Sequence, residues 1–427
     1  MSDAAVVRLP EPLRLRELAA ELFDTLREKS FDGTGITREC FAEGEDAAMA
    51  IYREVAERHG LKARVDAAAN MIVTLPGDDG TKPALLLASH ADSVPQGGNF
   101  DGGAGCVAAL LTLIRLAAEG TRPPCPVRAM VLRGEESAFY GRANIGSRLL
   151  FGTLDLKDLA AKRRGTGRTL REALAAAGID VEAAAAGRRM IDASTVKAYL
   201  ELHIEQGPVM VARKFPTAVV TGIRGNLRHR SIMCRGEAGH SGTVPRWLRR
   251  DAVFAVADLL MRLDEHWMRL LERGLDLVVT TGVIYTDPEQ QALSRIPGEA
   301  FFSFEVRSQS YETLEAFYEL FRSECRAVSD VRHVKFEFDD RVYAEPARMD
   351  EAIVRKLVAA SERLGLPTET LASGAGHDAA VFSNGGVPSG MIFVRNANGS
   401  HNPAEAMDLD DFMRGVELMH AFAVEGP

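Results

Sequence analysis

Four short segments place imidazoles and carboxylates where apolar runs end. SHADSVPQGGNFDGGAGCVAAL (89–110) follows ALLLA (84–88) and carries His90, Asp92 and, after a glycine-rich turn, Asp101. PVRAMVLRGEE (126–136) ends in Glu135-Glu136, VKAYLELHIEQG (196–207) carries His203, and SGMIFVRN (389–396) leads into Gly399-Ser400-His401. Mixed imidazole and carboxylate donors suit Zn²⁺, Mn²⁺, Co²⁺ or Ni²⁺, and disfavour Mg²⁺ and Ca²⁺. A carboxylate shared by two ions would hold them roughly 3.5–4 Å apart, where they clamp a water and polarise a carbonyl oxygen. If His90-Ala91-Asp92 stays extended, both polar side chains point to one side, and Asp92 can take the free N–H of a metal-bound His90. A double glutamate offers one carboxylate to a metal and leaves its neighbour free as a general base.

The runs that carry these groups must be strands. ALLLA is apolar without alternation, as in a parallel sheet buried on both faces. Ligands of open parallel sheets bind beyond the carboxyl ends of the strands, which is where all four segments put their polar groups. Between the runs, residues 44–59 have helical spacing at Ala47, Ile51 and Val55, and CVAALLTLIRLAAEG (106–120) reads as a buried helix. ARVDAAANMIVTLPG (63–77) reads as two short strands. The alternation predicts an α/β fold with a mostly parallel sheet.

Between about 217 and 341 the rhythm changes. A strand pair (AVVTGIRG, HRSIMCRG), a helix (DAVFAVADLLMRL), strands LVVTTGVIY and AFFSFEVRS, a helix (TLEAFYELFRSE) and a strand (VKFEFDD) follow one another. This β-α-β-β-α-β-like block can form its own two-layer α+β domain. The expected organisation is a discontinuous catalytic domain, 1–216 with 342–427, interrupted by an inserted domain at 217–341.

Composition narrows the function classes. The 427 residues are 26% charged and 46% hydrophobic, and 51 Lys+Arg against 60 Asp+Glu give a formal charge of −9. Apart from the local basic turn AAKRRGTGR (160–168) there is no cationic stripe, so no nucleic-acid partner is expected. No run of about 20 apolar residues marks a membrane span. The N-terminal MSDAAVVRLPEPLRLREL lacks a secretory pattern, and the five scattered cysteines read as reduced core residues; both point to the cytoplasm.

Six ordered motifs carry a resemblance: HAD…GGNFDG, RGEES..YG, LELHIEQGP, GEAGHSGTVP..LRRDA, SGAGHDA and SHNPAE. Together they resemble the hydantoinase/carbamoylase branch of the metal-dependent aminoacylase and carboxypeptidase G superfamily. That branch includes N-carbamoyl-L-amino acid hydrolases, β-ureidopropionases and allantoate amidohydrolases. The resemblance implies two divalent transition-metal ions per subunit, one held by His90, Asp101 and His203, the other by Asp101, Glu136 and His401. It implies Asp101 as the bridge, Glu135 as the general base and Asp92 as the residue orienting His90. It makes the inserted block a lid through which two subunits dimerise, with His240 reaching substrate at the partner's metal site. It makes Gln206 a substrate contact and Arg307 the partner of a substrate carboxylate.

Two departures bear on the substrate. Ser294 stands in Ser294-Arg295-Ile296-Pro297 where carboxylate-binding members have asparagine, and Glu305 precedes Val306-Arg307 where aspartate is usual. His377 shapes the pocket or caps the helix after it; Asn226 faces the pocket or fills a turn; His240 contacts substrate or is a structural turn histidine. Trp247 and Phe139 read as packing residues. The expected reaction is hydrolysis of a small amide or ureido C–N bond, with an N-carbamoyl-L-amino acid as the leading substrate. Allantoate hydrolysis and N-acyl amino acid or dipeptide cleavage on the same centre are the alternatives.

Overall fold

The computed structural model describes residues 12–427, so the start of the N-terminal segment read for a leader lies outside them. The chain divides into two compact units: the described residues up to Thr221 together with Arg348–Pro427, and Gly222–Ala347. No helix among the described residues is long and apolar enough to cross a membrane. All five cysteines are free and buried.

The first unit is built on a mixed sheet. Its strands include β1 (Lys62–Val65), β2 (Met71–Thr74), β3 (Ala84–His90), β4 (Val127–Leu132), β5 (Val196–Ile204), β6 (Thr217–Ile223) and the late strand Ser389–Val394. Across the sheet the order is β1-β2-β4-β3-β5, then Ser389–Val394, then β6. The four central strands, from β4 to Ser389–Val394, run parallel; β1, β2 and β6 join antiparallel. Every residue of β3 is buried, as its unbroken apolar run requires. Leu85 and Leu87 are wholly excluded from solvent, and truncating either to Ala would cost about 2–5 kcal/mol.

Helices cover this sheet. α1 (Pro12–Ser30), α2 (Glu43–Arg58), α3 (Gly103–Glu119) and the C-terminal helix Leu409–Glu425 share one core with the strands. α3 is apolar on nearly every side and ends where Gly120 adopts a left-handed conformation.

One strand pairing differs from expectation. AVVTGIRG does not form a hairpin with HRSIMCRG; β6 pairs instead with Ser389–Val394 and stays in the first unit's sheet. The reason lies in its burial, which is nearly complete along the strand and needs cover on both faces.

The second unit is a small antiparallel sheet ordered Ile284–Tyr285, Glu299–Ser308, Gly225–Arg235, Lys335–Phe338. Helices Ala252–Glu272 and Tyr311–Arg332 share a core with it. The expected strand LVVTTGVIY is two short pieces, Val278–Thr280 and Ile284–Tyr285. Glu299–Ser308 alternates strictly: Ala300, Phe302, Phe304 and Val306 are buried. The two-residue period leaves Glu305 and Arg307 together on the other face.

Candidate metal and catalytic site

β4, β3, β5 and Ser389–Val394 are neighbours, and each ends in a site group. His90 is the last residue of β3, and His203 lies next to last in β5. Glu135-Glu136 follow β4, and His401 lies beyond the late strand. The turns are tightly specified. Gly102 has φ +65°, and a Cβ there would stand 2.4 Å from the His90 ring. Gly134 has φ +66°, with a Cβ 2.7 Å from the Phe41 ring. Below that turn, buried Glu45 of α2 accepts the Gly134 N–H (2.9 Å) and pairs with Arg133 at 2.5 Å. Burial, opposed by Arg133, pushes the Glu45 carboxyl up to about 7.

Three donor atoms converge at one point. His90 Nε2 and His203 Nε2 are 3.3 Å apart, and they lie 3.5 Å and 3.2 Å from Asp101 Oδ1. Each ring turns its Nδ1 to oxygen: His90 to the Asp92 carbonyl and carboxylate, both at 3.2 Å, and His203 to the Ile204 carbonyl at 2.9 Å. With Nδ1 protonated in the neutral rings, two Nε2 lone pairs face each other beside a buried carboxylate oxygen that has no hydrogen-bond donor among the described residues. Such an arrangement repels itself unless a cation stands in the middle. A tetrahedral site with bonds of about 2.0–2.1 Å has edges of about 3.3–3.4 Å, which these separations match.

A second set shares Asp101 through its other oxygen. His401 Nε2 is 3.3 Å from Asp101 Oδ2 and 3.1 Å from Glu136 Oε1. Hydrogen bonds to Asp101 and Glu136 raise the His401 imidazole to about 10, so a proton occupies ground that suits a metal cation. Both donor sets therefore fit divalent transition metals. A third grouping, Glu201, His203 and His377, would need His203 to serve two ions.

Around these donors the carboxylates divide their tasks. Asp92 Oδ1 and Oδ2 accept the N–H groups of Glu135 and Glu136, each at 3.0 Å, while also facing the His90 ring. One carboxylate thus fixes a histidine and two glutamates. Glu135 is buried yet belongs to neither donor set. Burial, with Glu136, Asp378 and Asp92 nearby, raises its carboxyl well above the ordinary range, against the opposing pull of His90. Gln206, at φ +61°, donates to Asp101 Oδ2 at 2.7 Å, and its own buried Oε1 has no donor among the described residues.

These metal donors occur in a chain whose residues 86–425 match the peptidase family M20/M25/M40. The protein belongs to that family. Its members are metal-dependent hydrolases, in keeping with the two donor sets. Allantoate amidohydrolase of Escherichia coli is 31% identical over 361 residues, covering 84% of this chain and 85% of that one. N-carbamoyl-L-amino acid amidohydrolase of Geobacillus stearothermophilus is 31% identical over 387 residues, covering 90% and 92%. A solved amidase of the hydantoinase/carbamoylase family from Burkholderia multivorans superposes with a TM-score of 0.84 at 25% identity, covering 99% and 100%.

The remaining expected site residues fall into two groups. His377 lies in the first unit with the metal donors, its ring 4.4 Å from that of His203. It stands at a helix N-cap position, but its side chain makes no capping bond. His240, Ser294, Asn226 and Arg307 belong to the second unit. His240 is exposed on Gly239–His240, which pairs with Arg295–Ile296, and the Ser241 N–H donates to the Ser294 carbonyl at 2.8 Å. His240 Nδ1 accepts from the Gly242 N–H at 3.1 Å, so Nε2 carries the proton in the neutral ring. Arg307 and Asn226 are register partners across two strands, and Arg307 pairs with Glu305 at 3.0 Å. Trp247 is not a packing residue within this chain: it is 77% exposed. Phe139 is buried.

Sequence reading missed several supporting groups. Glu405 accepts the N–H groups of Phe100 (2.8 Å) and Asp101 (3.2 Å), and Ser400 Oγ lies 2.5 Å from Asp101 and 2.6 Å from Glu405. Fully buried Arg38 donates to the carbonyls of Ala91 and Asp101 and to Asn99, holding the loop from within. Glu405 was in view as the last letter of SHNPAE; Arg38 gave no signal, because an isolated arginine reads as surface charge.

Proposed function

We propose that the protein is a dimeric dinuclear amidohydrolase that cleaves the ureido C–N bond of a small ureido acid, with an N-carbamoyl-L-amino acid as the leading substrate. The observation that carries this reading is a pair of donor sets sharing Asp101, with buried Glu135 beside them and committed to neither. The substrates named for the two relatives, N-carbamoyl-L-amino acids and allantoate, both carry a ureido group on the carbon that bears a carboxylate.

Divalent ions held by the two sets would supply Lewis acidity, activating a water and polarising the carbonyl. Glu135 takes a proton from the attacking water and returns it to the leaving nitrogen. His377 offers a selective contact. Ser373 Oγ donates to the Ala375 carbonyl (2.9 Å), so the His377 Nε2–H donates to Ser373 and the buried Nδ1 is a bare acceptor. Burial and the neighbouring His203 hold His377 neutral. An unpaired acceptor in that position suits the NH₂ of a carbamoyl group, which formyl and acetyl groups lack. His377→Ala is therefore expected to lower kcat/KM about 2–10-fold for a carbamoyl substrate and to leave its N-formyl analogue nearly unchanged. Side-by-side kinetics on the two substrates measure this.

Within the second unit, the register partners Arg307 and Asn226 offer a guanidinium and an amide to a substrate carboxylate, and Ser294 a shorter polar group. Arg307→Ala is expected to reduce kcat/KM by about 10–100-fold, chiefly through KM. An unchanged kcat/KM would turn the search to neutral ureas and amides. The dimer reading draws on helix Ala252–Glu272, which exposes Phe254, Met261 and Met268 at heptad spacing, and on the exposed edge strand Ile284–Tyr285. A second copy can cover both by two-fold pairing. If His240 then serves the partner's centre, mixing inactive Glu135→Gln and His240→Ala proteins should restore activity, up to about half the sites of each mixed dimer being complete. No recovery after proven subunit exchange would place His240 in cis or in a structural role. Five free thiols suit a reducing compartment, the cytoplasm.

The deciding experiment strips metal with a chelator, restores Mn²⁺, Co²⁺, Ni²⁺ or Zn²⁺ in turn, and assays carbamoyl, formyl, acetyl and dipeptide substrates. Ammonia release from carbamoyl substrates, dependent on added metal, is the expected result. Preference for an acetyl or peptide substrate would overturn the ureido reading.

A further inference from the structure

We propose that Asn144 is a positioning residue for Glu135: its amide holds one carboxylate oxygen, so that the other is presented to the attacking water. The inference rests on the reading of Glu135 as general base and adds a residue that reading does not require. Asn144 Nδ2 lies 3.1 Å from Glu135 Oε1 and 3.1 Å from Asp378 Oδ1. Among the described residues no other side chain donates to the Glu135 carboxylate.

The backbone binds the two residues as firmly. The N–H groups of Asn144, Ile145 and Gly146 donate to the carbonyls of Glu135, Gly134 and Arg133, at 2.8, 2.7 and 2.9 Å. Segment 144–146 is therefore clipped antiparallel to the turn that delivers the glutamate. Asn144 sits at the N-cap of α4 (Ile145–Phe151) with φ +56° and ψ +39°. At such a position an asparagine ordinarily spends its side chain on the first helical N–H groups. Here it makes no capping bond, and the side chain is turned to two buried carboxylates instead. Asn is among the few non-glycine residues that tolerate left-handed backbone, so the chain keeps a donor where glycine would satisfy geometry alone.

A second carboxylate explains why the donor must bridge. Asp378 is 1% exposed, Ser147 Oγ approaches its Oδ1 at 2.5 Å, and its Oδ2 has no partner among the described residues. Without the amide between them, Glu135 and Asp378 would face each other as unscreened buried acids, and Glu135 would be free to rotate away from the metal donors.

The test is a double-mutant cycle in the metal-replete enzyme. Asn144→Gly keeps the left-handed backbone and removes the amide; it is expected to lower kcat about 10–100-fold, with KM within about threefold and metal content unchanged. In the Glu135→Gln background the same substitution should change the residual rate less than twofold, because Asn144 acts through Glu135. Thermal melting and metal analysis of Asn144→Gly beside the parent separate lost positioning from misfolding. Wild-type kcat in Asn144→Gly, or an equal fold-loss in both backgrounds, would overturn the positioning role. Wild-type turnover by Glu135→Gln alone would instead overturn the base reading, and this inference with it.

Discussion

Glu135→Gln is expected to bind both metals and lose nearly all turnover, a fall in kcat of about 10²–10⁴-fold. The amide keeps the shape and can still accept the Asn144 amide, and the N–H bond to Asp92 comes from the backbone, so the loop should not move. Glutamine cannot take a proton from water at neutral pH. Metal analysis and thermal melting on the same preparation separate lost chemistry from lost structure. A metal-replete variant retaining more than about a tenth of the wild-type kcat would move the base elsewhere. Asp378, the other acid on the same asparagine, would then be the first residue to examine.

Asp101→Ala should have the broadest effect, because this one side chain supplies an oxygen to each donor set. Loss of both ions and of measurable activity is expected, together with loss of the rise in Tm that added metal gives the wild type. His401→Ala is the contrast. It removes a half-exposed donor from one set and leaves His90, Asp101 and His203 intact, so one ion should remain. Metal counts of about zero and one, against two in the parent, are the outcome that shared ligation demands. If Asp101→Ala kept two ions, the bridge would be wrong whatever its activity.

The candidate site was legible where chemistry and pattern coincide. A strand that is apolar without alternation and then ends in His or Glu-Glu breaks its own rule, and that break pointed to β3, β4 and β5. What escaped was held by long-range packing. Asn144 looks like any polar residue before a helix, and only the fold brings Asp378 to it from 234 positions away. Glu201 lay unremarked inside an apolar run, although the hydroxyl of Tyr199 and the N–H of Ala379 meet it there. The β6 misreading has the same origin: a local hairpin is the nearer partner in sequence, but a strand needing cover on both faces finds it between distant segments.

Ser389–Val394 sits between β5 and β6, and the chain reaches it only after the whole of Gly222–Ala347 has been made. On the ribosome, the segment with its own core and antiparallel sheet can fold first, while the sheet carrying the metal donors still has an open slot. His401, Ser400 and Glu405 emerge later still, and Glu405 is what fastens the N–H groups of Phe100 and Asp101. A nascent or C-terminally shortened chain therefore presents His90, Asp101 and His203 without the braces that aim them. Both donor sets are therefore complete only after the late strand and the loop beyond it have been made.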